Sequence, residues 1–295
     1  MPKVIGHEPI VKDLTTLAEK GELSHGYIFY GPSMVGKRAT ALALAHFLER
    51  GTFEVPTSHE VLQEAKLIDL AFAKELDKDV KDSIGIDAVR EIKNFLWQKP
   101  NMSPKRTLII DDAELLTTEA QNALLKITEE PPASSLLIVI AYDLQGVMGT
   151  IRSRLQVVHF GTVAEKAIAE WLAEGGAGAA GAAKRTDATS MAKKSLGKPG
   201  LAWKLLHDKE FNKQLEVAEI YLTSSPATRK ELIKKIIDPD DFVLRNFLEA
   251  VIITLAWEKP SKAKADLWHR TLALYENASN FTLNPRLQLE TLLMK

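Results

Sequence analysis

At 295 residues, with 45% hydrophobic and 26% charged side chains, the chain has room for two or three domains, each with its own core. A formal net charge of -1 does not mark a free-standing nucleic-acid binder, although a local basic face is compatible with that average. The absence of cysteine excludes disulfides and thiolate metal sites, and suits a cytoplasmic protein.

The first residues, MPKVIGHEPIVKDL, carry charges at helical spacing where a signal peptide would be apolar. GYIFY (26–30) is a short aromatic and β-branched run closed by a glycine, the pattern of a buried strand. It leads into GPSMVGKRAT (31–40), after which KRATALALAHFLER predicts a helix starting near Lys37. RGTFEVPTSHEVLQEAKLIDL (50–70) reads as a connecting segment. SIGIDAVREIKNFLWQKP predicts an amphipathic helix with Val89, Ile92 and Leu96 on one face and Pro100 as its stop. RTLIIDDAE is a strand running into acids, TTEAQNALLKITEEPP a helix with a Thr/Glu start and a double-proline stop, and SLLIVIAYD a continuously apolar strand. With QVVHF (156–160) as a last strand, strands this apolar separated by helices predict a mostly parallel sheet covered on both faces.

Beyond residue 160 the strand signals stop. AEKAIAEWLAEGG is a helix ending in glycines, GAGAAGAAKRTDATS reads as a mobile loop of small residues, and helical structure resumes around a Gly-Lys-Pro-Gly turn. From about Phe211 onward everything reads as helix. The layout is therefore an α/β domain at 1–161, a small helical domain at 162–207 and a helical domain at 208–295. Phe247, Val251 and Leu255 recur every four residues and form an apolar face, to be buried inside this bundle or partly against neighbouring subunits. The longest apolar runs, such as AVIITLAW, fall short of the about 20 residues that cross a bilayer, so no membrane association is expected.

The chemistry-bearing letters lie in the α/β part. A phosphate-binding loop follows G-x-x-x-x-G-K-[ST]: backbone N–H groups cradle phosphates, the lysine adds charge, and the last hydroxyl helps hold Mg²⁺. Gly31, Gly36 and Lys37 fit, but the hydroxyl position is Arg38. The matching second half is a strand ending in an acid that helps hold the metal through water; Asp111 stands there, followed by Asp112. Glu114, a little further on, is read as a cap of the next helix.

Taken together, SHGYIF, SIGIDAVREI, IIDDAELLTTEAQNALLKITEEPP and GTIRSRLQ resemble the delta-prime subunits of the bacterial DNA polymerase III clamp loader, from Ile5 to about Leu206. The resemblance implies an AAA+ ATPase domain, a lid domain and a helical collar domain. It also implies membership of a hetero-oligomer with gamma/tau-type and delta-type subunits, which places a ring-shaped sliding clamp on primer–template DNA. In that family a Ser-Arg-Cys segment offers its arginine to ATP bound by the neighbouring subunit. The matching segment is Ser153 to Leu155, so the resemblance assigns the arginine finger to Arg154, with Arg152 adjacent and leucine in place of cysteine.

Several departures from active relatives fall in one place. Arg38 replaces the metal hydroxyl, Asp112 replaces the usual Glu, Ala141 stands near a γ-phosphate-sensing polar position, and Gly200 stands at a lid arginine. An arginine at the metal position also opposes a cation electrostatically. The expectation is a subunit that does not hydrolyse ATP itself and completes another subunit's site through Arg154, with ATP or ADP binding in the degenerate loop left open. The alternative is a gamma/tau-like motor subunit with its own ATPase; a P-loop kinase outside the family is a third reading. Relatives with a four-cysteine zinc module differ here: the stretch offers only His59, so no zinc is expected. Lys93, Lys99, Lys105 and Arg106 cluster around Trp97, and the favoured reading over DNA contact is a solvated basic face beside a core tryptophan.

Overall fold

A computed structural model describes residues 3–57, 60–78, 83–175, 185–238, 242–259, 261–280 and 283–293. The chain divides into two compact units, Met1–Ala202 and Trp203–Lys295. The first contains, in order, α1 (Glu8–Lys20), β1 (Gly26–Tyr30), α2 (Lys37–Arg50), β2 (Ala65–Ile68), α3 (Leu70–Leu76), α4 (Ile86–Trp97), β3 (Arg106–Ile110), α5 (Thr118–Glu129), β4 (Ser135–Ala141), α6 (Gly149–Arg152), β5 (Gln156–His159), α7 (Glu165–Ala173) and α8 (Arg185–Lys194). Helix α9 (Pro199–His207) begins at its end.

The five strands are all parallel, in the order β2-β3-β4-β1-β5. In an extended chain successive side chains point to opposite faces, and the two cores divide on that period. Ile28, Leu108, Ile110, Leu137 and Val139 join a core with Val89, Leu96, Leu124 and Ile127 from α4 and α5. Tyr27, Phe29, Ile109, Leu136, Ile138 and Ile140 join a second core with Leu14, Leu44 and Leu48 from α1 and α2. Every residue of β3 and β4 is buried, as interior strands covered on both faces must be, while β5 at the edge is largely exposed.

Local signals set the helix ends. The Thr117 side chain accepts from the Ala120 amide at 3.2 Å and starts α5. Helix α4 stops at Trp97, three residues ahead of Pro100. One strand was not legible in the sequence: β2 lies inside the stretch read as a connecting segment, and the residue after it, Asp69, caps α3 by accepting from the Phe72 amide. The glycine-rich stretch expected to be a mobile loop lies, in its glycine part, outside the described residues.

The second unit is helical among its described residues: α10 (Lys209–Thr223), α11 (Pro226–Ile237), α12 (Leu244–Trp257), α13 (Lys262–Asn280) and α14 (Pro285–Leu292). The apolar face of α12 is buried at Phe247, Val251 and Leu255, and α12 packs against α10 and α13. Tyr221 of α10 is fully buried; its ring meets Phe247 edge-on at 5.6 Å and its hydroxyl donates to the Leu289 carbonyl of α14 at 2.6 Å.

Burial raises the Tyr221 hydroxyl well above the ordinary tyrosine pKa, against a smaller opposing pull from the Arg229 charge. A raised acid favours the folded state while it stays protonated, so this stabilisation is complete below about pH 10, where an unfolded tyrosine ionises, and fades above it. Tyr221→Phe leaves the Leu289 carbonyl without its donor and is expected to cost about 1–2 kcal/mol at neutral pH by denaturant titration. Its deficit against the wild type should shrink as the pH is raised past about 10.

Candidate functional site

Because all strands run the same way, the segments after β1, β2, β3 and β4 leave one edge of the sheet, the edge where open α/β sheets bind ligands. The phosphate-loop candidate, residues 31–36, follows β1. Its first residue explains the glycine. Gly31 has φ 135°, and a Cβ there would lie 2.1 Å from the carbonyl oxygen of Phe160, which follows β5. The Phe160 amide in turn donates to the Tyr30 carbonyl at 2.8 Å, so the two chain segments are clamped together. Gly36, also at positive φ, precedes the first residue of α2.

Lys37 is buried, and its ammonium donates to the loop's own carbonyls at Gly31 and, at 2.7 Å, Pro32. Burial lowers its pKa below that of an ordinary lysine, with the charges of Glu114, Asp111 and Asp112 pulling the other way. Arg38, one residue further along α2, reaches across the strand ends. Its Nη1 lies 3.0 Å from Asp69 Oδ2 and 3.2 Å from Asp111 Oδ2. Burial, reinforced by the neighbouring Asp112 charge, raises the Asp111 carboxyl above the usual range, and the Arg38 guanidinium opposes that rise. Asp112 stands in the left-handed region at φ 53°, ψ 57°.

This arrangement does not fit the magnesium ion of a working phosphate loop. The residue that should offer a hydroxyl carries a cation, and the acid that should face the metal is already paired with it. Among the described residues, no group of three or more histidines and carboxylates could hold a metal ion. His59, the one zinc-ligand candidate weighed in the sequence, lies outside the described residues.

Two further positions frame the loop. Ala141 ends β4, buried, and offers no polar side chain to the edge. Gly200, at the start of α9, donates its amide to the Met34 carbonyl at 2.9 Å. A Cβ on Gly200 would come within 3.0 Å of Met34 Cβ and 3.1 Å of the Met34 carbonyl oxygen, so the helix sits directly on the loop. Sequence reasoning missed His7, whose Nε2 donates to the Val35 carbonyl at 2.9 Å from beneath the loop. It also missed Asp69, although LIDL repeats the strand-then-acid signature of LIIDD and could have exposed it. Glu114 does not cap the helix after it. Its carboxylate accepts from the amides of Tyr142 and, at 3.1 Å, Asp143, tying the end of β4 to the turn after β3.

Arg154 lies elsewhere. It precedes β5, whose pairing with β1 runs from Tyr27 opposite Gln156 to Tyr30 opposite His159. The loop follows the far end of β1, so at about 3.3 Å per residue the two are separated by at least about 10 Å of strand. Arg154 is partly exposed and held in place: Nη2 donates to Glu129 Oε1 at 2.9 Å and Nη1 to the Thr150 carbonyl at 2.6 Å. Arg152 is also exposed, on the last turn of α6.

The basic cluster around Trp97 separates. Arg106 is buried against Glu64 at 3.4 Å and over the Phe95 ring at 4.8 Å, and Lys105 donates to the Ser135 carbonyl. Trp97, expected in the core, is instead half exposed beneath Lys93, whose ammonium lies 5.6 Å from the ring. The apolar face of α4 turns Val89 and Leu96 inward and leaves the next position out.

A parallel sheet in this strand order, with a glycine loop after β1, acids after β3 and helices beyond, has the α/β AAA+ architecture. The family model described as DNA polymerase III, delta subunit, matches residues 6–164, more than half of the chain, and the chain belongs to that family. It is similar to the DNA polymerase III subunit gamma/tau of Mycobacterium bovis, 32% identical over 157 residues, or 52% of this chain and 27% of that protein. It is also similar to the DNA polymerase III subunit delta' of Pseudomonas aeruginosa, 27% identical over 168 residues, covering 53% of this chain and 49% of that one. The chain thus spans from about a quarter to about half of the length of these curated relatives. Its fold resembles a crystal structure of a DNA polymerase III, gamma subunit-related protein from Thermotoga maritima, with a TM-score of 0.60 at 18% identity over 96% of this chain and 97% of that one. The RuvB Holliday junction branch migration motor of the same organism gives a TM-score of 0.51 at 16% identity, over 97% and 89%. Among the described residues, no helix is long and apolar enough to cross a membrane.

The close approach at Gly31 makes a direct prediction. Gly31→Ala forces a Cβ into the Phe160 carbonyl at a backbone angle that L-residues avoid, and should cost about 3 kcal/mol or more in chemical denaturation.

Proposed function

We propose that the chain acts as a delta-prime-type clamp-loader subunit: it assembles with gamma/tau-type and delta-type subunits, helps load a sliding clamp onto primed DNA, and does not hydrolyse ATP itself. Its chemical contribution is Arg154, supplied to a nucleotide held by the neighbouring subunit. The observation that carries this reading is the position of Arg154. It lies at the opposite end of the sheet from this chain's own phosphate loop, partly exposed and braced by Glu129 and Thr150, a placement that favours service to another chain. A braced guanidinium aimed at a transferring phosphoryl group stabilises transition-state charge without reorganising first.

The loop supports the second half of the proposal. Lys37 is spent on loop carbonyls, Arg38 stands in the hydroxyl position, and Ala141 and Gly200 offer no polar side chain. A gamma/tau-type motor is the second reading. It is favoured by the retained Gly31, Gly36 and Lys37 and by the similarity to gamma/tau relatives. ATP or ADP binding without turnover is compatible with either. A soluble, cytoplasmic location belongs to the same proposal.

ATP turnover separates the two readings. The purified chain alone should show none above background, and appreciable turnover would reject the stationary-subunit proposal. In a reconstituted complex with its gamma/tau-type and delta-type partners, clamp and primed DNA, Arg154→Ala should lower DNA-stimulated hydrolysis by at least about tenfold. Arg154→Lys should restore little, because the planar fork and not the charge alone is used. Unchanged hydrolysis in Arg154→Ala would make the arginine-finger assignment wrong.

A further inference from the structure

The acids at the strand edge hold a cation, and that cation belongs to the chain. Asp69 and Asp111 each use one carboxylate oxygen locally: Asp69 Oδ1 accepts from the Phe72 amide at 3.0 Å, and Asp111 Oδ1 from the Asp112 amide at 3.1 Å. The other oxygens, both Oδ2, converge on one atom, Arg38 Nη1, at 3.0 and 3.2 Å. One positive centre between two carboxylate oxygens is the arrangement a divalent ion adopts, at N–H···O distances in place of the about 2.1 Å of a magnesium–oxygen bond.

We infer that Arg38 is a built-in replacement for the metal ion, so that Asp69 and Asp111 stay together with no divalent cation and the site has lost its use for one. Both carboxylates are mostly shielded, at 19% and 14% exposure, and Asp112 adds a third negative charge beside them. Without Arg38 these charges would face one another across a low-dielectric gap, and repulsion there is larger than between solvated charges. Arg38 is itself 48% exposed on the first turn of α2, so replacing it removes the cation without emptying the core. In Arg38→Ser the two Oδ2 atoms of Asp69 and Asp111, with the serine hydroxyl, would then face a vacant position for a hard, oxygen-preferring ion.

The inference is independent of the role proposed for Arg154, and its readouts do not include ATP turnover. The chain is purified as wild type, Arg38→Ser, Arg38→Lys and the double variant Arg38→Ser/Asp111→Asn. Each is melted in EDTA and in millimolar Mn²⁺, and Mn²⁺ binding is followed by electron paramagnetic resonance. Wild type and Arg38→Lys should melt at the same temperature in both buffers and bind no Mn²⁺. Arg38→Ser should melt about 2–4 °C lower in EDTA, recover in Mn²⁺ and bind one ion. The double variant should lose that metal response, which places the ion at Asp111. The inference is overturned if Mn²⁺ shifts wild type as much as Arg38→Ser. It is overturned equally if Arg38→Ser melts like wild type in EDTA, or melts lower and neither recovers with Mn²⁺ nor binds it.

Discussion

The parallel alignment of five strands is the constraint on which the rest of the first unit depends. It sends every strand's exit to one edge and every strand's entrance to the other, which sorts the chemistry before any side chain is considered. The loop, Arg38, Asp69, Asp111 and Asp112 gather at the exit edge, while Arg154 stands at the entrance to β5. No rotamer can bring the two sets together, because the separation is set by strand length and not by side-chain choice. A chain built this way presents its loop and Arg154 at opposite ends of the sheet. Under the proposed function, that separation lets each interface of a ring be completed by a neighbour.

Magnitudes decide which of the charged contacts shape the fold. Surface pairs such as Arg90 with Asp87 or Lys213 with Glu210 are exposed on both sides and contribute about 0–1 kcal/mol each. The Arg38 bridge differs in that both acids are shielded and share one donor, so separation would leave two partly desolvated carboxylates beside Asp112. Burial still outweighs the arginine at Asp111, whose carboxyl stays above its usual range. The bridge therefore limits a cost that the strand edge imposes. An edge that must carry acids for catalysis accepts that cost from a metal-bound nucleotide; here the chain supplies the counter-charge itself.

Most of the fold was legible because its signals are local. The centres of β1, β3 and β4, YIF, LII and LLIVIA, are apolar runs, the composition that suits parallel strands buried on both faces. β2 escaped notice because it is an edge strand of AKLI, with a lysine in it and only Ile68 fully buried, so it lacks the apolar run that marks its neighbours. The loop glycines, Lys37, Arg38, Asp111 and Arg154 could be read from spacing and resemblance. Their partners could not: Asp69 is 31 residues from Arg38, and Glu129 is 25 residues from Arg154. Trp97 shows the same limit in reverse. A helical repeat places it near the apolar face, but the repeat does not say how wide that face is; Val89 and Leu96 are covered and Trp97 is not.

The loop's backbone then has a structural role that requires no bound phosphate. The Lys37 ammonium, which a nucleotide would engage, and several of the loop's own carbonyls are engaged by the chain. Gly31 abuts the Phe160 carbonyl after β5, Lys37 binds the Gly31 and Pro32 carbonyls, Val35 accepts from His7 at the start of α1, and Met34 accepts from Gly200 at the start of α9. The loop is thus the joint at which β1, β5, α1, α2 and α9 meet. Each contact depends on a backbone shape that side chains disfavour, including the positive φ of Met34, Gly31 and Gly36. Losing the glycines would unseat a strand edge and a helix together, whether or not ATP is ever bound. Catalytic side chains such as the metal hydroxyl carry no such load, because they touch the ligand and little else. Under the proposed function only the first of these two constraints still applies, and a kept backbone with altered side-chain chemistry is its expected result.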